Sequence, residues 1–436
     1  MRNLNSAESN AMNCDMDEVP RSIHSINSHA TAQLLVTVSL VAVFVGTRTI
    51  LNRIRQELAQ LTVVIIGAGP IGMTSALIAV QCDRVSKLVL IEEQSKYSLE
   101  NRSYQISFQP QIVHFLKSIG VDFDHLEGCW HHGCFYTRIG IYLEYIINVL
   151  HLYNNDVEIR FSTKFQVCLI FTLSGSSISE FTRSTCSEID ILPGRVVVLC
   201  CDGSNGQSAR ILGLSDECAA HSCGVYGAVA ALDLLNQTSV PTPERRVHNL
   251  TFDLSAYGQS SSEENGFSHF CFKLFGNTRH RYMALAVNKS ESRVVKTLRT
   301  MLDKSVMRNI FLKCYNTYKT EDEPNISDSY ALNNIKFSPR LFEIKLSQRL
   351  ESVAYIVDCD MFVVAEGESC RSCNFNTGMD VNVGLKSLTL LESFLGKAAL
   401  AMTESAILNV LIFKMDHAEK LAREFIKSGM KEYMFS

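Results

Sequence analysis

Three glycines, Gly67, Gly69 and Gly72, stand at GxGxxG spacing inside the stretch Thr62–Glu92, with Pro70 directly after the second. The chemistry open to such a spacing is phosphate binding. Gly67 permits a tight turn, Gly69 lets a pyrophosphate approach the backbone, and Gly72 lets a helix pack closely on a strand. Unpaired N–H groups at the positive end of the following helix then face the anion. Glu92 falls where an acidic side chain accepts hydrogen bonds from a ribose diol. Glycine-rich turns join many strands and helices, so the flanking elements decide how much the spacing means. Val63–Ile66 is a run of β-branched residues suited to a strand buried on both faces, Ile71–Gln81 is helical in pattern, and Leu88–Ile91 is a second buried strand that ends at Glu92. Strand, glycine turn, helix, strand and acid in that order predict a dinucleotide-binding unit; a βαβ unit without a ligand is the plainer alternative.

Other residues with chemical potential follow at wide intervals. Arg102 lies in Ser98–Gln109, which reads as a loop between the second strand and a helix over Ile112–Ile119. There it could bind phosphate or simply be solvated. Val196–Cys201 is a third buried strand and runs straight into Asp202-Gly203, with Ser208 and Arg210 close behind. An Asp at the carboxyl end of a parallel strand points into the crevice where ligands bind, although Asp-Gly also marks ordinary turns. Met361–Ala365 reads as a fourth such strand, followed by a loop over Glu366–Thr377 that holds Gly367 and Glu368. A helix over Val383–Leu395 is entered through Gly378, Met379, Asp380, Val381 and Asn382, which offers a second helix N-terminus to an anion or a polar ring edge.

Two cysteine clusters carry alternatives. Cys370 and Cys373 form a CxxC that could be a redox pair, but without thioredoxin-like surroundings such a spacing is more often incidental. Cys129-Trp-His-His-Gly-Cys134 has residue types that zinc accepts, yet no second ligand pair stands at finger spacing, and a loop packed by Trp130 accounts for it as well. No metal site is therefore expected.

The elements that must position these residues fit a chain of 436 residues with room for a large core. A net charge of −4 gives no basic excess and so no pointer to nucleic acid. The 15 cysteines are scattered through apolar runs such as Val198–Cys201, which reads as buried free thiols in a reducing compartment. Residues 1–29 are polar and aperiodic, the composition of a disordered tail, and neither a presequence nor a cleaved signal peptide. Residues 30–47 form an uncharged window just long enough to cross a bilayer, with Arg48, Arg53 and Arg55 then holding the next domain on the cytosolic side. A hydrophobic helix packed on the body, in a cytoplasmic protein, is the other reading of that window. Alternating segments at Phe267–Phe275, Tyr282–Val287 and Leu341–Leu346 predict an antiparallel sheet. Arg293–Tyr315 reads as one helix, and the chain beyond Leu395 as amphipathic helix. The resulting division is 58–225 and 351–395 around the glycine turn, 226–350 as an inserted antiparallel-sheet domain, and 396–436 as C-terminal helices.

The order GAGPIG, then CDGSNGQSAR, then a strand-GE-loop-GMDVNVG helix resembles the single-component FAD-dependent monooxygenases of the aromatic-hydroxylase type. Within that group, Tyr97–Gly120 and the helix from Ile141 look most like the MICAL monooxygenases. The resemblance covers about Leu61 to Leu395. It implies an α/β fold, with a Rossmann-like FAD-binding domain assembled from separated segments, an antiparallel sheet domain over the flavin ring, and C-terminal helices. It also implies that NAD(P)H reduces the flavin and that oxygen then forms a flavin hydroperoxide that hydroxylates a substrate. Carried over by position, Gly67, Gly69, Pro70 and Gly72 would meet the pyrophosphate, Glu92 the adenosine ribose, and Arg102 the flavin side. Asp202 and Gly203 would serve both FAD and the nicotinamide, Gly367 and Glu368 the ribityl chain, and Gly378 through Asn382 the flavin edge.

The sequence departs from that pattern at two cleft positions. Glu368 stands where the family has Asp, and Asp380 where it has Gly; a carboxylate beside the flavin pyrimidine disfavours an anionic reduced ring. The leading expectation is an NAD(P)H-dependent FAD monooxygenase acting on a small molecule or a protein side chain. The alternatives are a flavoprotein-like scaffold without turnover and a flavin reductase using Cys370 and Cys373.

Overall fold

A computed structural model describes residues 32–48, 50, 60–153, 156–165, 195–233, 243–251, 269–277, 279–321, 323–375 and 380–435. The chain divides into two units, Met1–Leu58 and Ala59–Ser436. In the first unit residues 32–48 are helical, with the Thr37 and Thr47 hydroxyls bonded back to the carbonyls of Gln33 and Val43 at 2.8 Å. Among the described residues no helix is long and apolar enough to cross a membrane. The span expected over 30–47, and the orientation drawn from the arginines, gain no support from it.

The second unit is a mixed α/β structure with parallel and antiparallel sheets. The β-branched runs form a six-stranded sheet in the order Val353–Ile356, Met361–Ala365, Arg195–Cys200, Leu61–Ile66, Val85–Ile91, Asp156–Arg160. All neighbours are parallel except the edge strand Val353–Ile356, which runs antiparallel to Met361–Ala365. Leu61–Ile66 is wholly buried because both faces are covered. Val63 and Ile65 join the core shared with the helices Pro70–Gln81 and Ile139–Leu150, while Val64 and Ile66 pack with Val196, Val198 and Met361 on the other side. That double burial explains a run without polar alternation.

A seven-stranded antiparallel sheet is organised on Cys218–Asp233, which pairs with Phe342–Arg349, Ile335–Phe337 and His280–Asn288; Phe270–Asn277 and Pro243–Leu250 extend one edge and Arg371–Cys373 the other. Phe270, Phe272 and Leu274 face a helix-covered core. Cys218–Asp233 runs across position 225, so one strand joins the parts that the sequence divides there.

Several local expectations give way to longer-range pairing. Ser98–Gln109 is not a loop: Lys96–Glu100 is a helix, with Ser95 Oγ accepting the Ser98 N–H at 3.2 Å, and Gln105–Phe108 is a strand antiparallel to Cys134–Arg138. Its partner arrives about thirty residues later, beyond the reach of a local pattern. Arg293–Tyr315 is two helices, Arg293–Thr300 and Lys304–Tyr318, because Met301 is extended and Asp303 accepts the Ser305 N–H at 2.8 Å to start the second. The loop after Ala365 contains a 3-10 turn, Gly367–Ser369, and the strand Arg371–Cys373. The helix Asp380–Ser387 ends there and resumes as Leu391–Leu400 after a 3-10 turn. A last helix, Glu404–Phe435, closes the described chain.

Candidate functional site

The strand Leu61–Ile66 is where the parallel sheet changes direction: the chain moves to Val85–Ile91 on one side and to Arg195–Cys200 on the other. Crevices form at the carboxyl ends of strands at such a point. Here the residues just past four parallel strands, Gly67, Glu92, Asp202 and Glu366, line one cleft of about 630 Å³.

The three glycines of the turn do different things. Gly67 takes φ +98°, a left-handed conformation in which a Cβ would also sit 2.6 Å from the Cys201 carbonyl oxygen. At Gly72 a Cβ would be 1.9 Å from the Gly67 carbonyl oxygen, so helix and turn touch backbone to backbone. Gly69 is the one with open space beside it, and with Pro70 it lines the cleft. Pro70 opens the helix, where its missing N–H costs nothing.

Glu92 is buried and already employed. Its Oε2 accepts the Ala68 N–H at 2.7 Å and its Oε1 the Gln94 N–H at 2.8 Å, so the carboxylate ties the glycine turn to the end of the second strand. Asp202 is held less completely. Its Oδ2 accepts the Ser208 N–H at 2.9 Å, while its buried Oδ1 has no hydrogen-bond partner among the described residues. A buried carboxylate oxygen without a donor is costly, and this one belongs to a residue that lines the cleft. Gly206 is required beside it, since a Cβ there would fall 2.1 Å from Asp202 Cγ.

Arg102, Gly203, Gly367 and Glu368 also line the cleft. Glu368 and Asp380 come together at it; partial burial, and then the Asp380 carboxylate, raise the Glu368 pKa. Two expected residues are placed elsewhere. Gly72 lies behind the turn, and Asn382, fully buried, donates to the Ser107 carbonyl and accepts the Gln109 N–H, which makes it a brace between the helix Asp380–Ser387 and the strand Gln105–Phe108. Gly378 lies outside the described residues.

The cysteine clusters resolve as structure. Cys370 is buried and Cys373 lies in a strand; two extended residues between them span roughly 10 Å, and burial pushes Cys370 up and Cys373 up to about 12. Neither the separation nor the thiol acidity suits a dithiol couple. Cys129–His131 and Cys134–Arg138 form a hairpin packed by Trp130, Phe123 and Phe135. Among the described residues no group of three or more His, Cys, Asp or Glu side chains could hold a metal ion.

Two cleft residues and one buried lysine of the antiparallel sheet are not foreseen from the sequence. Glu366, at the cleft floor, is fully buried against Lys414 of the last helix. Arg371 lines the cleft and donates to Gln348 Oε1 and to the Ala418 carbonyl, both at 2.7 Å. Lys273 sits mid-strand in the antiparallel sheet, 1% exposed, its pKa lowered to about 7 by burial first and then by Arg245. Its nitrogen lies 5.2 Å from the Phe275 ring centre, Phe275 stacks on Tyr282, and Tyr282 meets Tyr104 of the cleft wall at 4.7 Å. For the two lysines the available signal is a cation inside an apolar pattern: Lys414 stands at i+4 spacing with the buried Val410 and Ala418.

Among solved structures the chain is similar to tetracycline destructase Tet(51), at 12% identity and TM-score 0.42 over 86% of this chain and 99% of that one. It is similar also to p-nitrophenol 4-monooxygenase PnpA from Pseudomonas putida DLL-E4, at 14% identity and TM-score 0.47 over 86% and 90%. A third is OxyS anhydrotetracycline hydroxylase from Streptomyces rimosus, at 12% identity and TM-score 0.45 over 83% and 68%. No family model and no curated protein matches the chain. None of these three structures is a MICAL monooxygenase, and that narrower resemblance gains no support from them.

Proposed function

We propose that the cleft binds FAD in a Rossmann-like arrangement and that the protein is an NAD(P)H-dependent oxidoreductase of the monooxygenase type. The observation that carries the reading is the pairing of an open Gly69 turn with a buried, unpartnered Asp202 Oδ1 across one cleft at the sheet's switch point. A cofactor bearing both a pyrophosphate and hydroxyl donors suits that pair. Residues 58–225 and 351–395 would hold it, and 226–350 would face the substrate, a small molecule or a protein side chain.

Bound there, FAD would accept a hydride from NAD(P)H and supply the oxygen chemistry. The chain's own contribution is position and field. The amides at the start of Pro70–Gln81 would face the pyrophosphate, Glu92 would keep the turn closed while accepting a ribose hydroxyl, and Asp202 would accept a hydroxyl at its free oxygen. Arg102 would bring a positive charge to the flavin side. Gly367 and Glu368 would lie along the ribityl chain.

One observation favours a second reading, a scaffold of this fold without turnover. The Glu368 and Asp380 carboxylates both line the cleft, where partial burial, and then the charge of Asp380, raise the Glu368 pKa. Two acids there oppose negative charge on a reduced ring.

The absorption spectrum of the purified full-length protein tests both. The first reading expects a flavin spectrum, from the protein as isolated or after FAD is added, that NADPH bleaches and air restores. Flavin that binds but is not bleached supports the scaffold. Protein that takes up no FAD removes the dinucleotide reading.

A further inference from the structure

The cleft floor is braced from outside the parallel sheet. Glu366 follows the strand Met361–Ala365, is 1% exposed, and donates its backbone N–H to the Cys200 carbonyl at 3.0 Å. Its carboxylate is divided between two donors from later in the chain. Lys414 Nζ pairs with Oε1, and Ser387 Oγ donates to Oε2 at 2.8 Å. Lys414 is itself 3% exposed, on the helix Glu404–Phe435, with its nitrogen 5.8 Å from the Phe394 ring centre. Neither charge is tolerable at such burial without the other.

The residue after Glu366 has no slack. Gly367 takes φ +60°, and a Cβ on it would meet Ile71 Cγ1 at 2.9 Å, so the turn is pressed against the first residues of the helix Pro70–Gln81. Glu366 and Gly367 both line the cleft. A displacement of the Glu366 carboxylate is therefore passed to the turn and from there to the helix that begins at the glycine motif. The same last helix holds two neighbouring points, with the Ala418 carbonyl accepting from Arg371 at 2.7 Å and His417 Nε2 lying 3.2 Å from the Ser387 carbonyl.

We propose that Lys414 is a positioning residue of the cleft, whose ion pair holds the Glu366 carboxylate in place and through it sets the Gly367 turn. The ion pair stands independently of any ligand; what lies against the turn rests on the dinucleotide reading. The other titratable groups facing this pair are Arg371, His417 and the thiols of Cys201 and Cys370. Without Lys414, Glu366 is a buried acid lacking a cation, an environment that favours the neutral form of a carboxyl group.

The test uses the full-length protein as wild type, Lys414→Met, Lys414→Arg and the double variant Lys414→Met/Glu366→Gln. Infrared spectra at pH 7 should show the carbonyl stretch of a protonated carboxyl in Lys414→Met that is absent from the wild type and from Lys414→Arg, and lost again in the double variant. FAD titrations should show affinity falling at least tenfold in Lys414→Met, more at pH 8 than at pH 6, with Lys414→Arg close to the wild type. If Lys414→Met only lowers the melting temperature, with no new carboxyl band and an unchanged affinity and pH profile, the lysine is a structural filler and the proposal is overturned. A wild type that binds no FAD removes the dinucleotide reading, while the infrared band still decides whether Lys414 holds Glu366 charged. Should Lys414→Met not fold, the double variant, which buries neither charge, should fold and bind FAD more weakly than the wild type with little pH dependence; equal affinity overturns the proposal.

Discussion

Asn382 closes on Gln109 across 273 positions of sequence: its Oδ1 accepts the Gln109 N–H at 2.9 Å while its Nδ2 donates to the Ser107 carbonyl at 2.8 Å. One amide thereby satisfies two backbone groups at the end of the strand Gln105–Phe108, where the next residue, Pro110, opens a helix. Replacing Asn382 with Leu should remove both hydrogen bonds. The expected loss is about 1–3 kcal/mol, from a net of roughly 0.5–1.5 kcal/mol for each hydrogen bond removed. Asn382→Asp keeps the acceptor but sets a carboxyl oxygen against the Ser107 carbonyl in a fully buried site, so it should cost at least as much. Urea unfolding of the three proteins checks the ranking, and a Leu variant as stable as the wild type would contradict the bracing role.

Gly69 and Gly72 should part company when each is changed to Ala. At Gly72 the new methyl meets the Gly67 carbonyl oxygen at 1.9 Å, so turn and helix must separate; overpacking of this kind costs roughly 1–3 kcal/mol or more. At Gly69 it meets nothing within 4 Å, and stability should stay within about 0.5 kcal/mol of the wild type. The Gly69→Ala methyl instead occupies the cleft, so FAD affinity should fall while the melting temperature holds. Thermal melts beside FAD titrations read the two effects separately.

Lys273 makes stability depend on pH in a particular direction. Its folded pKa is lowered to about 7, well below the ordinary lysine value. Between about pH 7 and 10 the unfolded chain holds a proton that the folded chain does not, so this group makes stability rise with pH across that window. Below about pH 7 both states are protonated and its contribution to the slope vanishes. The full change is on the order of 4 kcal/mol for a shift of this size. Lys273→Met should remove it, which subtracting the two urea-midpoint profiles would reveal; parallel profiles would show that the amine is not desolvated.

Cys370 and Cys373 should be dispensable for electron transfer. Changing both to Ser should leave the rate of any NADPH-dependent bleaching within about twofold of the wild type, because thiols with raised pKa values react slowly as thiolates. A large loss in stopped-flow reduction, with FAD still bound, would return the cysteine pair to the mechanism.

The legible parts of the fold are those in which neighbours in sequence are neighbours in space. The run Val63–Ile66, the glycine turn and the helix behind it declare themselves, because burial on both faces leaves an unbroken apolar run and close backbone approach demands glycine. Gln105–Phe108 is not legible: four residues paired to a strand 30 positions away carry no pattern of their own. The break at Met301–Asp303 is hidden because the helical periodicity carries across it, whereas Asp303 as a cap is there to be read. At the site, Gly67, Glu92 and Asp202 can be found since each ends a strand. Glu366 and Lys414 cannot be paired from sequence, since nothing local indicates which buried acid a buried lysine will meet 48 positions away. Asn382 departs from its expected place at the flavin edge for a related reason, its polar side chain being spent on backbone rather than turned to the cleft.

The scattered origin of the cleft has a bearing on how the molecule is made. Leu61–Ile66 emerges from the ribosome long before Arg195–Cys200, the strand that must lie beside it, and longer still before Glu366 and the helix bearing its counter-charge. Until those later segments arrive, the glycine corner is bounded on the Val85–Ile91 side alone, and the cleft that a small molecule would fill is not yet built. Assembly must wait on pairings of high sequence separation, which form slowly. Nascent protein shortened ahead of Arg195 would leave one edge of Leu61–Ile66 unpaired, and such fragments belong among the substrates of chaperones rather than among partly working enzymes.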